Sequence, residues 1–330
     1  MSKWYKGDTH LHTTNSDGKY PIEKLIEKCR KIGLDYAIIT DHNYNTVEKS
    51  YDEGDIIVIQ GQELTDYLGH INVWGNKVPV EPPYDIKTNQ DYLELVDKCK
   101  ETGSVISLNH PFCSNCPFRT EKDDFPFDTV EVWNTIQHSD NVKNLKWWSE
   151  QLLKGRKIMA VGGSDYHRDY ASIPLLAMPT TYVLAQERTP EAILRALKQG
   201  RSFVTNSPKS SKLFLSVGNV EIGGSIKLSD CDIAEITVTK LKKGHKVKIY
   251  NNDRIIFSFV ADKYYKKYSA SVKIQETGFV RAQIDYTLNP ILTRIFAFAE
   301  HTFLGSRGVK INNKKMPELF WAFTNPILIE

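Results

Sequence analysis

Between Trp4 and about Asn206, short apolar runs alternate with longer amphipathic ones, the pattern of repeated βα units around a mainly parallel sheet or barrel. The apolar runs predict strands at Tyr5 to His12, Tyr36 to Ile39, Ile56 to Ile59, His70 to Trp74, Ser104 to Leu108, Thr129 to Trp133, Lys157 to Val161 and Thr181 to Leu184. Helices are predicted over Pro21 to Ile32, Lys87 to Thr102, Asn141 to Leu153 and Pro190 to Lys198. The first helix places Ile22, Leu25, Ile26 and Cys29 on one face, with Pro21 in its first turn and Gly33 as its stop.

Past Ser207 the helical period disappears and alternating strands begin. They are predicted at Leu213 to Val217, Ala234 to Lys240, Lys246 to Tyr250, Ile255 to Val260, Ser269 to Ile274 and Val280 to Tyr286. Further apolar runs occupy Arg294 to Ala299, Leu319 to Phe323 and Ile327 to Ile329. Asn251-Asn252-Asp253 and Glu276-Thr277-Gly278 read as turns between such runs. A small antiparallel β-sandwich over residues 207–330 is the economical reading, following a first domain of residues 1–206, with the junction between Asn206 and Lys212. The basic segment Lys240 to Lys246 reads as a solvated hairpin tip.

Charge narrows the partners. The 43 basic and 40 acidic residues nearly cancel, to +3, so there is no strong nucleic-acid signature, and small ligands are the default. No run of eighteen apolar residues predicts a membrane span, and Met-Ser-Lys-Trp-Tyr-Lys lacks the apolar core of a signal peptide. A cytoplasmic location is the expectation. Five scattered cysteines do not form a disulfide framework, and Cys113-Ser-Asn-Cys116, the one pair with redox or zinc spacing, reads as two reduced loop thiols.

The chemistry-bearing residues gather at predicted strand ends. His10, His12, His42, Glu63, His110, Asp165 and His167 all lie at or just past the C-terminal end of a predicted strand, the edge where active sites of α/β sheets and barrels assemble. If Tyr5 to His12 is a strand, its period of two puts Asp8, His10 and His12 on one face. Asp17 and His70 complete a set of nine nitrogen and carboxylate donors, enough for two or three divalent ions with a shared carboxylate. Imidazole with carboxylate favours Zn, Mn or Fe over Mg or Ca. His138 reads as a surface residue at a helix start, and His245 and His301 as structural residues of the second domain.

Asp-Thr-His-Leu-His-Thr at 8–13, Ser-Asp-Gly at 16–18, Thr-Asp-His-Asn at 40–43, Glu63 with Gly-His at 69–70, Asn-His-Pro at 109–111 and Gly-Ser-Asp-Tyr-His at 163–167 resemble the PHP (polymerase and histidinol phosphatase) family of metallohydrolases. The tail closing on Thr324-Asn-Pro-Ile327 resembles the family's CehA/McbA-like branch. The resemblance implies a distorted (β/α)7 TIM-like barrel with a trinuclear site. Carried onto this chain, it implies that His10, His12, Glu63 and Asp165 hold one ion, Glu63, His70 and His110 a second, and Asp17, His42 and His167 a third. Histidinol phosphatases of the family carry His where Asp17 stands, which points away from that substrate. The nucleotidase branch inserts a subdomain between the positions matching His70 and His110, where 39 residues intervene here, which points to a more open pocket.

The expected function is a metal-dependent phosphoesterase, a phosphatase or phosphodiesterase using a metal-bridging hydroxide on a small phosphate ester. Asp165 and His167 are the catalytic candidates at the ions, with Arg119 and Arg168 as candidates to bind phosphate. Asp8 and Asp41 are candidates to orient imidazoles, and Glu131 could be a ligand, an orienting group or a structural carboxylate. A carboxyl-ester or carbamate hydrolase would use the same site. A non-catalytic barrel, stabilised by metal and binding a sugar or protein through its β-sandwich, is the alternative from a different class.

Overall fold

Local chemistry accounts for where the helices start and stop. In the computed structural model, which describes residues 2–84, 86–169, 175–286, 319–330 and the single position 294, α1 (Ile22–Lys31) buries Leu25, Ile26 and Cys29. Gly33 then ends it, at φ +74°. α2 (Asn89–Glu101) starts with a reciprocal cap: the Thr88 hydroxyl accepts from the Asp91 backbone N–H, and the Asp91 carboxylate accepts from that of Thr88. α3 (Ser139–Leu153) and α4 (Pro190–Lys198) complete the set of four among the described residues, the last with Thr189 as cap and Pro190 in its first turn. None of them is long and apolar enough to cross a membrane.

Preceding and between these helices run β1 (Lys3–Leu11), β2 (Tyr36–Ile39), β3 (Tyr51–Asp52), β4 (Ile57–Asp66), β5 (Gly69–Trp74), β6 (Val105–Leu108), β7 (Thr129–Asn134), β8 (Met159–Gly163), β9 (Thr180–Ala185) and β10 (Ser202–Thr205). β1, β2 and β4 are parallel neighbours, as are β6, β7 and β8. Between the two groups β4, β5 and β6 pair antiparallel. The sheet is therefore mixed rather than mainly parallel, and the βα alternation is only partly realised. The reason is local: β4 continues past Ile59 to Asp66 and turns back within two residues into β5, which leaves no length for a crossover helix. At the far side Leu11 pairs with Tyr166, just after β8, so the last strand of the series returns to the first.

The second half holds β11 (Lys212–Val217), β12 (Val220–Glu221), β13 (Ser225–Ile226), β14 (Ile233–Leu241), β15 (His245–Asn251), β16 (Arg254–Val260), β17 (Tyr265–Lys273), β18 (Gly278–Tyr286), β19 (Leu319–Thr324) and β20 (Ile327–Ile329). β12, β11, β14 and β17 form a separate four-stranded sheet. The rest extend the large sheet, because β10 pairs with both β9 and β19. The two sheets share a core that includes Leu213, Leu215, Ile236, Val238, Val247, Ile249, Ala282 and Ile284.

Asn252 takes the left-handed turn between β15 and β16, as its sequence predicts. The turn at Glu276-Thr277-Gly278 does not make a hairpin. β17 belongs to the four-stranded sheet and β18 to the large one, so this connection crosses between sheets. Asn325, in the tail motif, docks that tail onto the first half: its side chain accepts from Ala160 N and donates to Ala160 O and Ser202 O. Of the strand predicted at Arg294 to Ala299 only Arg294 is described, and it is helical; residues 295–299 and His301 lie outside the described residues.

Candidate metal centre

The nine predicted donors converge. His10 sits in β1 and His12 just beyond it, on one face as the strand period requires. His42 follows β2, Glu63 lies within the extended β4, and His70 is the second residue of β5. Because β5 runs antiparallel to β4, its beginning lies at the same sheet edge as the end of β4. His110 follows β6, and Asp165 and His167 follow β8. Asn43, His110 and Asp165 hold backbone φ of +48°, +26° and +52°. Left-handed backbone at three residues in or beside one cluster is strain of the kind that gathers at functional sites.

The innermost group is dry and polar. His10 Nε2 stands 3.2 Å from Glu63 Oε2 and 3.4 Å from Asp165 Oδ1. His12 Nε2 stands 3.0 Å from Asp165 Oδ1 and 3.5 Å from Glu63 Oε2. His10, His12 and Glu63 are at most 1% exposed, and these four buried atoms face one another, with His42 Nδ1 2.9 Å from Glu63 Oε2 and His167 Nδ1 3.6 Å from Asp165 Oδ1. Glu63 turns its other oxygen the opposite way, with Oε1 3.1 Å from His70 Nδ1 and 3.5 Å from His110 Nε2. A third group surrounds Asp17 Oδ1, which lies 3.0 Å from His167 Nε2, 3.7 Å from His42 Nε2 and 3.8 Å from His12 Nδ1. Each of three sets (His10, His12, Glu63 and Asp165; His12, Asp17, His42 and His167; His70, His110 and Cys116) brings its donor atoms within 4.8 Å of one another.

Charge in this cluster is balanced by proximity rather than by water. Burial opposes the charged form of His10, but Asp165, Glu63 and Glu131 hold its pKa well above the usual imidazole range. Burial likewise opposes ionisation of Glu63 and Asp165, yet neighbouring imidazoles hold both well below the usual carboxylate range. Buried carboxylates kept charged, with imidazole nitrogens converging on the same few ångströms, are complementary to a cation.

Other side chains hold the donors in place. Glu131 Oε1 lies 3.0 Å from His10 Nδ1, which leaves Nε2 directed into the cluster, and Asn134 Nδ2 donates to Glu131 Oε2 at 3.0 Å. Thr65 Oγ1 lies 2.6 Å from His42 Nδ1, and Asn109 donates to Glu63 Oε1 at 2.9 Å. His167 Nδ1 is 2.8 Å from the Asp165 carbonyl. Gly163 has no room for a side chain, since a Cβ there would lie 2.5 Å from both Glu131 Oε1 and His10 Cβ. Of the three roles open to Glu131, orienting His10 is the one its contacts describe. Its signal in the sequence was a charged residue inside the apolar run of β7.

Asp8 and Asp41 do not orient imidazoles. Asp8 accepts from the backbone N–H groups of His10, Ser164 and Ala177 and from the Ser164 hydroxyl, tying β1 to the segments after β8. Asp41 accepts from Thr13 N and from the hydroxyls of Thr13, Ser16 and Thr46, pinning the loop that carries Asp17. Arg119 is exposed and stacks over Tyr67, its Cζ 4.9 Å from the ring centroid, at the turn between β4 and β5. Arg168 is also exposed, directly after His167. His138, expected at the surface, is half-buried at the N-cap position of α3, where its side chain makes no capping hydrogen bond. Cys116, which sequence reasoning set aside, stands 3.7 Å from His110 Nδ1.

Comparisons with known proteins bear on this cluster. A stretch of 38 residues is 50% identical to the DNA polymerase/3'-5' exonuclease PolX of Bacillus subtilis (strain 168), covering 12% of this chain and 7% of that protein. The chain thus spans a small fraction of this curated relative. A two-domain protein from Bacteroides vulgatus, containing a predicted PHP-like metal-dependent phosphoesterase, aligns with a TM-score of 0.50 at 19% identity, over 86% of this chain and 90% of that one. A lesion-specific endonuclease from Pyrococcus furiosus aligns at 15% identity and a TM-score of 0.42, over 59% of this chain and 56% of that one. The PHP domain model matches residues 8–111, a segment that holds His10, His12, Asp17, His42, Glu63, His70 and His110, while Asp165 and His167 join the cluster from beyond it.

Proposed function

We propose that this chain is a metal-dependent phosphoesterase acting on a small phosphate ester. The observation that carries the reading is the convergence of four buried donor atoms, His10 Nε2, His12 Nε2, Glu63 Oε2 and Asp165 Oδ1, within 4.8 Å of one another. Gathering two carboxylates and several imidazoles in a dry interior is costly unless their charge is compensated, and a divalent cation held by them would supply that compensation. In this reading His10, His12, Glu63 and Asp165 would hold one ion, Glu63, His70 and His110 a second, and Asp17, His42 and His167 a third. The nitrogen and carboxylate set suits Zn, Mn or Fe.

When bound, such ions supply Lewis acidity toward a phosphoryl oxygen and bring the pKa of a water molecule toward neutrality. The chain's own groups position and exclude. Glu131 and Thr65 fix the rings of His10 and His42, while Asn109 and Asn134 fix the carboxylates of Glu63 and Glu131. Arg119 and Arg168, exposed beside the cluster's segments, supply cationic donors for the ester's phosphate. The return of Tyr166 to Leu11 supports reading β1, β2 and β4 to β8 as a distorted (β/α)7 barrel, with a β-sandwich domain beginning near residue 207. The docked Asn325 motif supports the CehA/McbA-like branch.

The test pairs elemental analysis of the purified chain with p-nitrophenyl phosphate turnover, for wild type and His10→Ala. Two or three ions per chain, with turnover lost in the variant, is the expected result. Metal with no turnover would redirect the reading to carboxyl or carbamate esters. Failure to take up Zn, Mn or Fe under any loading condition would overturn the centre itself.

A further inference from the structure

Cys113 and Cys116 lie in the loop that leaves His110, and both are half-buried free thiols. Their sulfurs are 2.9 Å apart, whereas a disulfide bond spans about 2.05 Å. The loop itself is built to hold them there. Cys113 N donates to the His110 carbonyl at 2.8 Å, and Cys116 N donates to Cys113 Sγ at 3.4 Å. Between them Ser114 is tied to α3, its N–H and hydroxyl donating to Asp140 Oδ2 at 2.8 and 2.7 Å.

The pair also reaches the cluster. Cys116 Sγ is 3.7 Å from His110 Nδ1, while the other nitrogen of that ring, Nε2, faces Glu63 Oε1 at 3.5 Å. His110 is 3% exposed and strained at φ +26°, and its ring faces the two cysteines, Glu63 and the rings of His10 and His70.

We propose that Cys113 and Cys116 form a reversible disulfide that sets how firmly His110 holds its ion, making the centre responsive to thiol–disulfide status. The proposal rests on the metal-centre reading given above. The oxidant is a low-molecular-weight disulfide such as glutathione disulfide. The thiolate of one cysteine attacks it, forming a mixed disulfide and releasing one glutathione thiol. The second cysteine then attacks the protein sulfur of that mixed disulfide and releases the second glutathione. Two protein S–H bonds are replaced by one S–S bond, and one glutathione disulfide is reduced to two thiols. The Cys116 sulfur closes on Cys113, and the two thiols that faced the His110 ring become one disulfide, which carries no thiolate charge and is a poor acceptor for the Nδ1–H. An imidazole ligand deprived of the partner on its second nitrogen binds metal about 10- to 100-fold more weakly.

The experiment uses the full chain loaded with Zn2+ or Mn2+, held in dithiothreitol or in glutathione disulfide. Thiols are titrated under denaturing conditions, and metal retention is followed against increasing chelator. Oxidation is expected to lower the count from the five cysteines to three, and to release one class of ion at about tenfold lower chelator. Cys116→Ala, kept reduced, is expected to release that ion as oxidised wild type does, and in the oxidant to form no internal disulfide, with at most a mixed disulfide on Cys113 that dithiothreitol removes. Five thiols after oxidation would overturn the proposal, as would three thiols with unchanged retention, or a Cys116→Ala variant that retains metal like reduced wild type. A chain that loses two thiols yet binds no metal in either state would overturn the metal-centre reading and the coupling with it. The thiol count keeps the two failures apart.

Discussion

Glu131→Gln probes the site through a residue outside the proposed ligand set. Glu131 is 1% exposed, and its two oxygens face different partners, His10 Nδ1 at 3.0 Å and Asn134 Nδ2 at 3.0 Å. A carboxylate accepts at both oxygens, so Nδ1 carries the proton and Nε2 is left free for a cation. Glutamine has nearly the same shape but one accepting end. If its oxygen faces His10, its NH2 meets the Asn134 NH2, donor against donor. If it turns over, its NH2 meets the His10 N–H. Rotating the Asn134 amide does not help, because Asn134 Nδ2 also donates toward Asp165 Oδ2 at 3.3 Å, and an oxygen there would face a carboxylate. In the Nδ1–H form of His10 one buried hydrogen bond is therefore lost in either orientation, and moving the proton to Nε2 restores that bond only by taking Nε2 from the cation. The loosened His10 should hold its ion about 10- to 100-fold more weakly, or about 1.4–2.7 kcal/mol. Chelator titration of the loaded variant reads this loss. A Gln variant that keeps its ions up to wild-type chelator concentrations would refute the assignment of Glu131 as the group that orients His10.

Three further perturbations test the scaffold. Gly163→Ala places a methyl 2.5 Å from both Glu131 Oε1 and His10 Cβ, and should cost about 1–3 kcal/mol while weakening metal retention; wild-type retention would show that β8 yields without moving His10. Asn325→Ala strips both Ala160 N and Ala160 O of their buried partner and should lower stability by about 2–4 kcal/mol, read as a shifted urea midpoint; an unchanged midpoint would mean that the tail docks without stabilising the first half. His245 is 2% exposed, and burial, with Lys242 nearby, pushes its imidazole down to about 4. Because the folded-state value lies below the roughly 6.5 of the unfolded chain, this contribution is complete above pH 6.5 and falls away as pH drops toward 4, by about 3 kcal/mol in all. Urea midpoints of wild type and His245→Phe should converge or cross over that window, and parallel profiles would rule the contribution out.

Much of the chain is legible from local pattern. β2, α4 and β20 begin and end where their apolar periods say they should, and the hairpin at Asn252 follows from a residue that tolerates left-handed backbone. The donors of the cluster are legible too, because His, Asp and Glu at the ends of apolar strands stand out against their surroundings. β10 is less so. Its four residues follow directly on Gly200 and Arg201, too short a run to show a period.

What the sequence by itself determined was therefore the type of each element and the identity of the groups that could meet a cation, since both are written within about ten residues of chain. Only the tertiary structure decided which strands pair: β4 turning back into β5, and β17 and β18 parting into different sheets. It alone also set Glu131 against His10, 121 residues away in sequence, divided the two oxygens of Glu63 between different imidazoles, and brought Cys116 to His110. The physical reason is range. A strand's face follows from alternation along itself, but its neighbours and the aim of a buried side chain follow from which packing of the whole chain satisfies its polar atoms and excludes water.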